Sequence, residues 1–240
     1  MANLTTLRML EGLNGFLLVD KPSGIAFSSV VKTVKRKFNL VKVGHGGSLD
    51  ALASGLLVLL LNDANRFTGD VMGADRSWEG TMRLGLKTNT GDIHGEPAGG
   101  DASKIPPPER IESVLPEFRG DIFQTESRWC SIRKEGSAAY EIADTGEHKP
   151  FMAHVYRFDV RQPVSDARLG FSVKGTKGLI VRTLVGDFGD ALGCGAALES
   201  LRRVAVGRFA VEDAIRFDRL LETDITDFAP LVKPVSKFFA

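Results

Sequence analysis

The longest unbroken apolar run in the chain, Leu56 to Leu61, directly follows a loop rich in Gly and Ser. Its length and its flanking turn residues are typical of a buried β-strand. The run is far shorter than the ~20 apolar residues that a membrane-spanning helix requires. The chain is therefore predicted to be a globular protein that contains a sheet and has no membrane partner.

Shorter segments elsewhere also have the pattern of strands. Apolar or alternating residues predict strands at Gly15–Asp20, Trp78–Leu86, Phe151–Val160 and Leu169–Lys174. Because the connections between strands and helices are short, many strand pairs are expected to be antiparallel. The predicted fold class is therefore α+β.

Helical spacing of apolar residues predicts helices over 28–40, 136–145 and 179–192. Ser28 is the predicted N-cap of the first helix. The segment Leu198–Val206 is short and apolar, and Arg202 and Arg203 within it are expected to be exposed or to reach outward.

The composition excludes a disordered chain, a collagen-like repeat and a coiled coil as the whole protein. The chain has 240 residues, 43% of them hydrophobic and 25% charged, with a net charge of +1, which is ordinary for a globular domain. Its two cysteines, Cys130 and Cys194, stand in no paired motif, and its four histidines are scattered. We therefore expect a cytoplasmic protein with no disulfide scaffold and no metal site.

The positive charge is concentrated near the N-terminus. Residues 1–42 contain seven basic and two acidic residues, a net charge of +5, whereas the rest of the chain sums to −4. In the first predicted helix, Lys32, Lys35, Arg36 and Lys37 lie mostly away from the apolar stripe. This face is either a solvated helix surface or a contact for a polyanion such as a nucleic acid.

A carboxylate lies in a Gly/Ser-rich loop immediately before the apolar run. The loop reads Gly44-His-Gly-Gly-Ser-Leu-Asp50-Ala-Leu-Ala-Ser-Gly55. Its four glycines are interpreted as allowing a ligand to approach the backbone closely. Asp is also common in turns, so from the residues alone Asp50 is either a turn residue or a functional carboxylate.

This loop closely resembles the G-H-x-G-x-L-D-P-x-A-x-G motif of the TruB-type tRNA pseudouridine synthases. Three further segments match the family in order. They are Gly15-Phe-Leu-Leu-Val-Asp-Lys-Pro-Ser-Gly24, Arg83-Leu-Gly-Leu-Lys-Thr-Asn-Thr-Gly-Asp92, and Lys177-Gly-Leu-Ile-Val-Arg182-Thr-Leu, which is followed by Leu201-Arg-Arg. The ordered matches span about residues 12–210, and together they are far more specific than any one of them.

The resemblance implies a fold, an activity and a set of site residues. The implied fold has a central mixed, mainly antiparallel sheet flanked by helices. The implied reaction is the isomerisation of a uridine in RNA, most specifically the TΨC-loop uridine of tRNA, to pseudouridine without a metal or cofactor. Asp50 carries over as the essential catalytic residue. His45 and Arg182 carry over as substrate-site residues, with the Arg182 guanidinium within ion-pair reach of Asp50, and Lys21 and Leu201 belong to the same set.

Several positions depart from the family pattern. Trp78 stands where the family has a Tyr that stacks on the target base, and Ile180 replaces the Tyr of K-G-T-Y-I-R. Indole can stack on a base but has no ionisable hydroxyl. The expected organisation is a single catalytic domain over 1–240, with its core at about 12–210 and without the C-terminal RNA-binding domain of many relatives.

Two functions follow from these observations. The first is an RNA pseudouridine synthase, which Asp50 and Arg182 favour. The alternative is a weakened or inactive family member that acts as an RNA-binding, RNA-folding or assembly factor, which Trp78 and Ile180 favour. RNA is the partner in both cases, and the sequence identifies no protein partner.

Overall fold

The computed structural model describes residues 12–125, 129–134, 137–142 and 150–236; for 129–134, 137–142 and 162–165 it describes the main chain alone. The α-helices are α1 (Phe27–Lys37), α2 (Thr68–Gly73), α3 (Pro108–Val114), α4 (Val181–Ala191) and α5 (Phe217–Glu222). The strands are β1 (Gly15–Lys21), β2 (Val43–His45), β3 (Ser54–Leu61), β4 (Arg76–Leu84), β5 (Lys87–Thr88), β6 (Pro97–Gly99), β7 (Gly120–Gln124), β8 (Trp129–Lys134), β9 (Ser137–Ile142), β10 (Phe151–Ser165), β11 (Arg168–Gly175), β12 (Ala196–Val206), β13 (Phe209–Ala210), β14 (Ile215–Arg216) and β15 (Val232–Lys233).

The chain divides into two compact units. The terminal unit contains Met1–Ala74 and Arg203–Ala240, and the central unit contains Asp75–Arg202. Strand β12 begins in the central unit and ends in the terminal unit.

The sheet of the terminal unit is built around β1. This strand pairs antiparallel with β3 and β15 and parallel with β14, and β3 also pairs antiparallel with β2. Leu57, Leu59 and Leu61 of β3 pack on one side with α1, while Leu56, Val58 and Leu60 pack on the other with β13. Because both faces of β3 are covered, every position from Leu56 to Leu61 is apolar, which explains the unbroken run.

Helix α1 has one buried and one exposed face. Val30 and Val34 are buried against β1 and β3, whereas Lys32, Lys35, Arg36 and Lys37 are exposed. The predicted basic, amphipathic helix is confirmed. The predicted N-cap is wrong, because the helix begins at Phe27 and its N-cap is Ala26, which makes no side-chain hydrogen bond. The Phe27 side chain packs against the core, and this contact places the start of the helix before Ser28.

The sheet of the central unit has the order β4–β11–β10–β7, with every neighbouring pair antiparallel. Its inner face is aromatic: the ring of Phe158 on β10 meets those of Phe171 on β11 and Phe188 on α4 edge to face. On β4, Trp78, Met82 and Leu84 are buried on this face. The predicted alternation of that strand is confirmed.

The class of the fold is α+β, as predicted, with a mixed and mainly antiparallel sheet flanked by helices. The predicted helix over 136–145 is wrong across 137–142, since β9 there pairs antiparallel with β8, and 136 and 143–145 lie outside the described residues. A helix this short is marginal by itself, and the pairing of the two strands satisfies the same backbone groups. Within the described ranges, no helix is long and apolar enough to cross a membrane.

Candidate active site

Asp50 lies on the loop between β2 and β3 of the terminal unit. Its side chain is exposed, whereas its neighbours Leu49 and Ala51 are buried, at 2% and 6% exposure. The buried neighbours anchor the backbone on both sides of the carboxylate. The loop therefore presents one acidic group to solvent from a position that is otherwise packed.

The turn after β1 ties this loop down. The Ser23 hydroxyl donates to the Leu52 carbonyl at 2.6 Å, and the Gly24 N–H donates to the Ala51 carbonyl at 2.7 Å. These bonds join the opening sequence motif, Gly15–Gly24, to the Asp50 motif. Two segments that match the family separately in sequence are thus in contact in the fold.

The glycines of the loop are explained by packing inside the protein. A Cβ at Gly46 would lie 2.2 Å from Cγ1 of Val71, and one at Gly55 would lie 2.3 Å from the backbone oxygen of Arg203. Gly55 also has a φ of +100°, which side-chain-bearing residues rarely adopt. At these two positions the interpretation of ligand approach is wrong, because protein atoms occupy the space.

Arg203 is the residue that the sequence pattern placed wrongly. It was expected to be exposed or to reach outward, but it is 1% exposed and is among the largest fully buried side chains of the described residues. Its guanidinium donates to the carbonyls of Leu56 at 2.8 Å, Ser48 at 2.9 Å and Gly47 at 3.4 Å. Its strand neighbours Arg202 and Val204 are both half-buried, so the alternating pattern of β12 does not by itself single out Arg203 as a buried residue.

His45 is held at the start of the same loop. Its Nδ1 accepts a hydrogen bond from the Gly47 N–H at 3.3 Å, and its ring meets the Phe27 ring edge to face at 4.9 Å. Partial burial lowers the pKa of His45 from its ordinary value, which favours the neutral ring that this acceptor role requires.

Lys21, the last residue of β1, is fully buried. Its ammonium donates to the carbonyls of Pro22 at 2.9 Å and Ile25 at 2.8 Å, so it closes the turn that carries Ser23 and Gly24. Burial lowers the pKa of Lys21 to about 8, although the nearby Asp50 carboxylate opposes this shift. Lys21 and Asp50 are therefore electrostatic neighbours.

The lowered pKa of Lys21 predicts a stability that rises with pH. Between pH 8 and 10.5 the unfolded chain holds a proton that the folded chain has released, so deprotonation favours folding. Relative to Lys21→Met, the parent is expected to gain roughly 2 kcal/mol in the free energy of unfolding between pH 7.5 and 9.5. Urea denaturation at both pH values measures this gain. The exposed Lys32→Met is the control, and parallel pH profiles for parent and Lys21→Met would contradict the prediction.

Arg182 belongs to the central unit, where it is the second residue of α4. It is 9% exposed and is therefore not a solvated helix arginine. Its Nη1 lies 3.6 Å from Oδ2 of Asp92 and donates to the Thr90 carbonyl at 3.2 Å. Since a cation at a helix N-terminus opposes the helix dipole, these acceptors supply the compensation.

Asp92 is a site residue that sequence reasoning did not single out. Its side chain is 1% exposed, and it accepts hydrogen bonds from the Thr90 hydroxyl at 3.2 Å and the His94 N–H at 3.0 Å. The sequence contained a signal for this residue, because Asp92 is the last residue of the family-matching segment Arg83–Asp92. Burial of this carboxylate beside Arg182 fixes the guanidinium in one place.

Ile180 precedes α4 and is held by Gln124 of β7. The Ile180 N–H donates to Oε1 of Gln124 at 2.9 Å, and Nε2 of Gln124 donates to the Ile180 carbonyl at 3.1 Å. Gln124 is 2% exposed, so this two-bond contact is buried. It fixes the start of the helix that carries Arg182.

The seven predicted site residues divide between the units. Lys21, His45 and Asp50 lie in the terminal unit, and Trp78, Ile180, Arg182 and Leu201 lie in the central unit. Trp78 and Leu201 are buried, at 8% and 9% exposure. The predicted ion pair between Asp50 and Arg182 would join the two units and stays a prediction. Across the described part of the chain, no group of three or more His, Cys, Asp or Glu is placed to hold a metal ion.

Comparison with known proteins identifies the family. The TruB family pseudouridylate synthase N-terminal domain matches residues 35–181, and the tRNA pseudouridylate synthase B C-terminal domain matches residues 182–239. The tRNA pseudouridine synthase B of Burkholderia pseudomallei (strain 668) is 38% identical over 213 residues, which cover 88% of this chain and 70% of that protein. That of Azoarcus sp. (strain BH72) is 35% identical over 230 residues, 95% of this chain and 76% of that protein.

Solved structures support the fold. Similar chains occur in a Cbf5-Nop10-Gar1 complex, with a TM-score of 0.72 and 25% identity, and in an archaeal box H/ACA sRNP Nop10-Cbf5 complex, with 0.71 and 24%. These matches cover 97% and 96% of this chain but 63% of each solved chain, so this chain spans less than two thirds of those proteins. The predicted family and the pseudouridine synthase fold are confirmed: the chain belongs to the TruB family of pseudouridylate synthases and is an isomerase.

Proposed function

We propose that this chain converts the TΨC-loop uridine of tRNA into pseudouridine, with Asp50 as the catalytic residue. The observation that carries the proposal is an exposed carboxylate between the buried residues Leu49 and Ala51, on a loop held by hydrogen bonds to the carbonyls of Ala51 and Leu52. Relatives named tRNA pseudouridine synthase B supply the substrate class.

The reaction is an isomerisation that needs no added oxidant or reductant. The bond between C1′ and N1 of the uridine breaks, the uracil turns, and C5 bonds to C1′. The proton on C5 is lost and N1 gains one, so the atoms balance. A carboxylate at position 50 serves either as the nucleophile, at the base or at the sugar, or as the base that removes a proton to give a glycal. These routes stay open.

The remaining residues shape the pocket in this proposal. The target uridine leaves the RNA stack to reach the carboxylate, and His45 occupies the space near the displaced base. Arg182, held by Asp92, orients the Asp50 carboxylate. Trp78 offers an aromatic face to the flipped uracil, and Ile180 and Leu201 provide apolar contact. Lys21 stabilises the turn after β1, and this turn is hydrogen-bonded to the Asp50 loop.

RNA is the proposed partner, and the basic face of α1 is its proposed contact. Lys32, Lys35, Arg36 and Lys37 are all exposed on that face. Lysine and arginine side chains bind phosphates and release counterions, so binding through this face weakens as salt rises. A cytoplasmic location is part of the same proposal.

The test is direct measurement of pseudouridine in tRNA. Purified protein is incubated with an unmodified tRNA transcript, and pseudouridine is mapped by chemical derivatisation and primer extension. The expected product is a single pseudouridine in the TΨC loop, without added metal or cofactor. A transcript in which that uridine is replaced by cytidine is the control. Modification at another uridine would contradict the target, and binding without conversion would favour the assembly-factor alternative.

A further inference from the structure

We propose that Arg203 is a positioning residue for Asp50, an inference that rests on the proposed function. Its guanidinium binds carbonyls on both sides of the carboxylate: Gly47 and Ser48 precede Asp50, and Leu56 follows it. The two ends of the loop are thereby joined through one side chain that comes from strand β12, far along the chain.

The burial of this guanidinium makes the contact rigid. Arg203 is 1% exposed, and its hydrogen bonds to the carbonyls of Leu56 and Ser48 are 2.8 and 2.9 Å long. Alternative conformations of a buried guanidinium are unfavourable, because each of them loses charge-assisted hydrogen bonds in an interior without water. The five donors of a guanidinium form a planar fork, which an ammonium cannot reproduce.

The backbone of Arg203 contacts the loop as well. Gly55 packs so closely on it that a Cβ would lie 2.3 Å from the Arg203 oxygen and 2.8 Å from its nitrogen. The same residue therefore fixes Gly47, Ser48, Gly55 and Leu56, while the turn after β1 fixes Ala51 and Leu52. Asp50 is the exposed acid in the middle of this clamped segment.

If Arg203 positions Asp50, its substitution should lower the rate of the chemical step and leave the affinity for RNA nearly unchanged. A misplacement of about 1 Å in a reacting group costs as much as 100-fold in rate. We therefore expect Arg203→Met to lower the single-turnover rate at saturating tRNA by roughly 10- to 100-fold, with the Kd for tRNA changed by less than about threefold. Arg203→Lys keeps the charge but has a different donor geometry, so its rate should fall between those of the parent and Arg203→Met.

The control must lose stability without touching the loop. Val34→Ala, in the buried face of α1, removes core contacts from the same unit. All variants are assayed at a temperature where circular dichroism shows them folded. If Arg203→Met fails to fold, Arg203→Lys carries the test.

A second measurement does not depend on activity. Hydrogen–deuterium exchange of the segment 47–53 is expected to rise at least about tenfold in Arg203→Lys and Arg203→Met but not in Val34→Ala, because the clamp is lost only in the first two. Unchanged exchange, or an unchanged rate in an active parent background, overturns the positioning role. An inactive parent contradicts the proposed function instead, and exchange then decides alone whether Arg203 holds the loop.

Discussion

Asp50→Asn is expected to abolish pseudouridine formation while leaving the fold and tRNA binding intact. The substitution keeps the side-chain volume and removes only the charge and the nucleophilic or basic oxygen. Since general base catalysis alone contributes 10²–10⁴-fold, the single-turnover rate should fall by roughly 1000-fold or more. The Kd for tRNA should change by less than about threefold, and the exposed position of Asp50 predicts little change in Tm.

The matched control for this variant is Asp70→Asn. Asp70 is an exposed aspartate of the same unit, on α2, and its substitution should leave the rate unchanged. Rate and affinity are measured separately, by quenched-flow single turnover and by filter binding. An Asp50→Asn variant that retains parent-like turnover would show that another group performs the chemistry.

Trp78→Ala is expected to lower both the free energy of unfolding and the productive binding of RNA. Trp78 lies on β4 opposite Val173 of β11, on the buried face of the central unit, and is 8% exposed. Truncation of a buried Trp costs about 3–5 kcal/mol in the free energy of unfolding. If the indole also stacks on the flipped uracil, the loss of about 1–3 kcal/mol of stacking weakens productive binding roughly 10- to 100-fold.

Two variants separate the core role of Trp78 from the stacking role. Met82→Ala removes a fully buried side chain from the same face of the same strand, so it loses stability without removing an aromatic platform. Under conditions where both are folded, only Trp78→Ala should lose turnover. Trp78→Tyr restores the hydroxyl of the family and should react at least as fast as the parent. A sharp loss of turnover in a folded Trp78→Tyr protein would instead show a pocket built around indole.

The chemistry of the site was largely readable from local sequence. Asp50 and the loop around it form an ordered motif, and the basic face of α1 follows from helical spacing. The buried state of Arg182 was not readable, because periodicity marks only which side of a helix a residue takes and not what lies against that side. Asp92 was overlooked for the same reason: its role depends on a contact with a helix that begins 89 residues later in the chain.

Four features were predictable from the sequence: the α+β class, the amphipathic first helix, the family and the candidate catalytic carboxylate. These depend on residue type and short-range spacing, which set strand and helix periodicity and turn chemistry. Three others became known from the folded structure: β9 is a strand, Gly46 and Gly55 are required by packing, and Arg203 is buried beneath the Asp50 loop. Each of these depends on atoms brought together from distant parts of the chain, as when Arg203 binds the carbonyl of Gly47 across 156 residues. Short-range spacing in the sequence cannot predict such contacts, because they depend on how the whole unit packs.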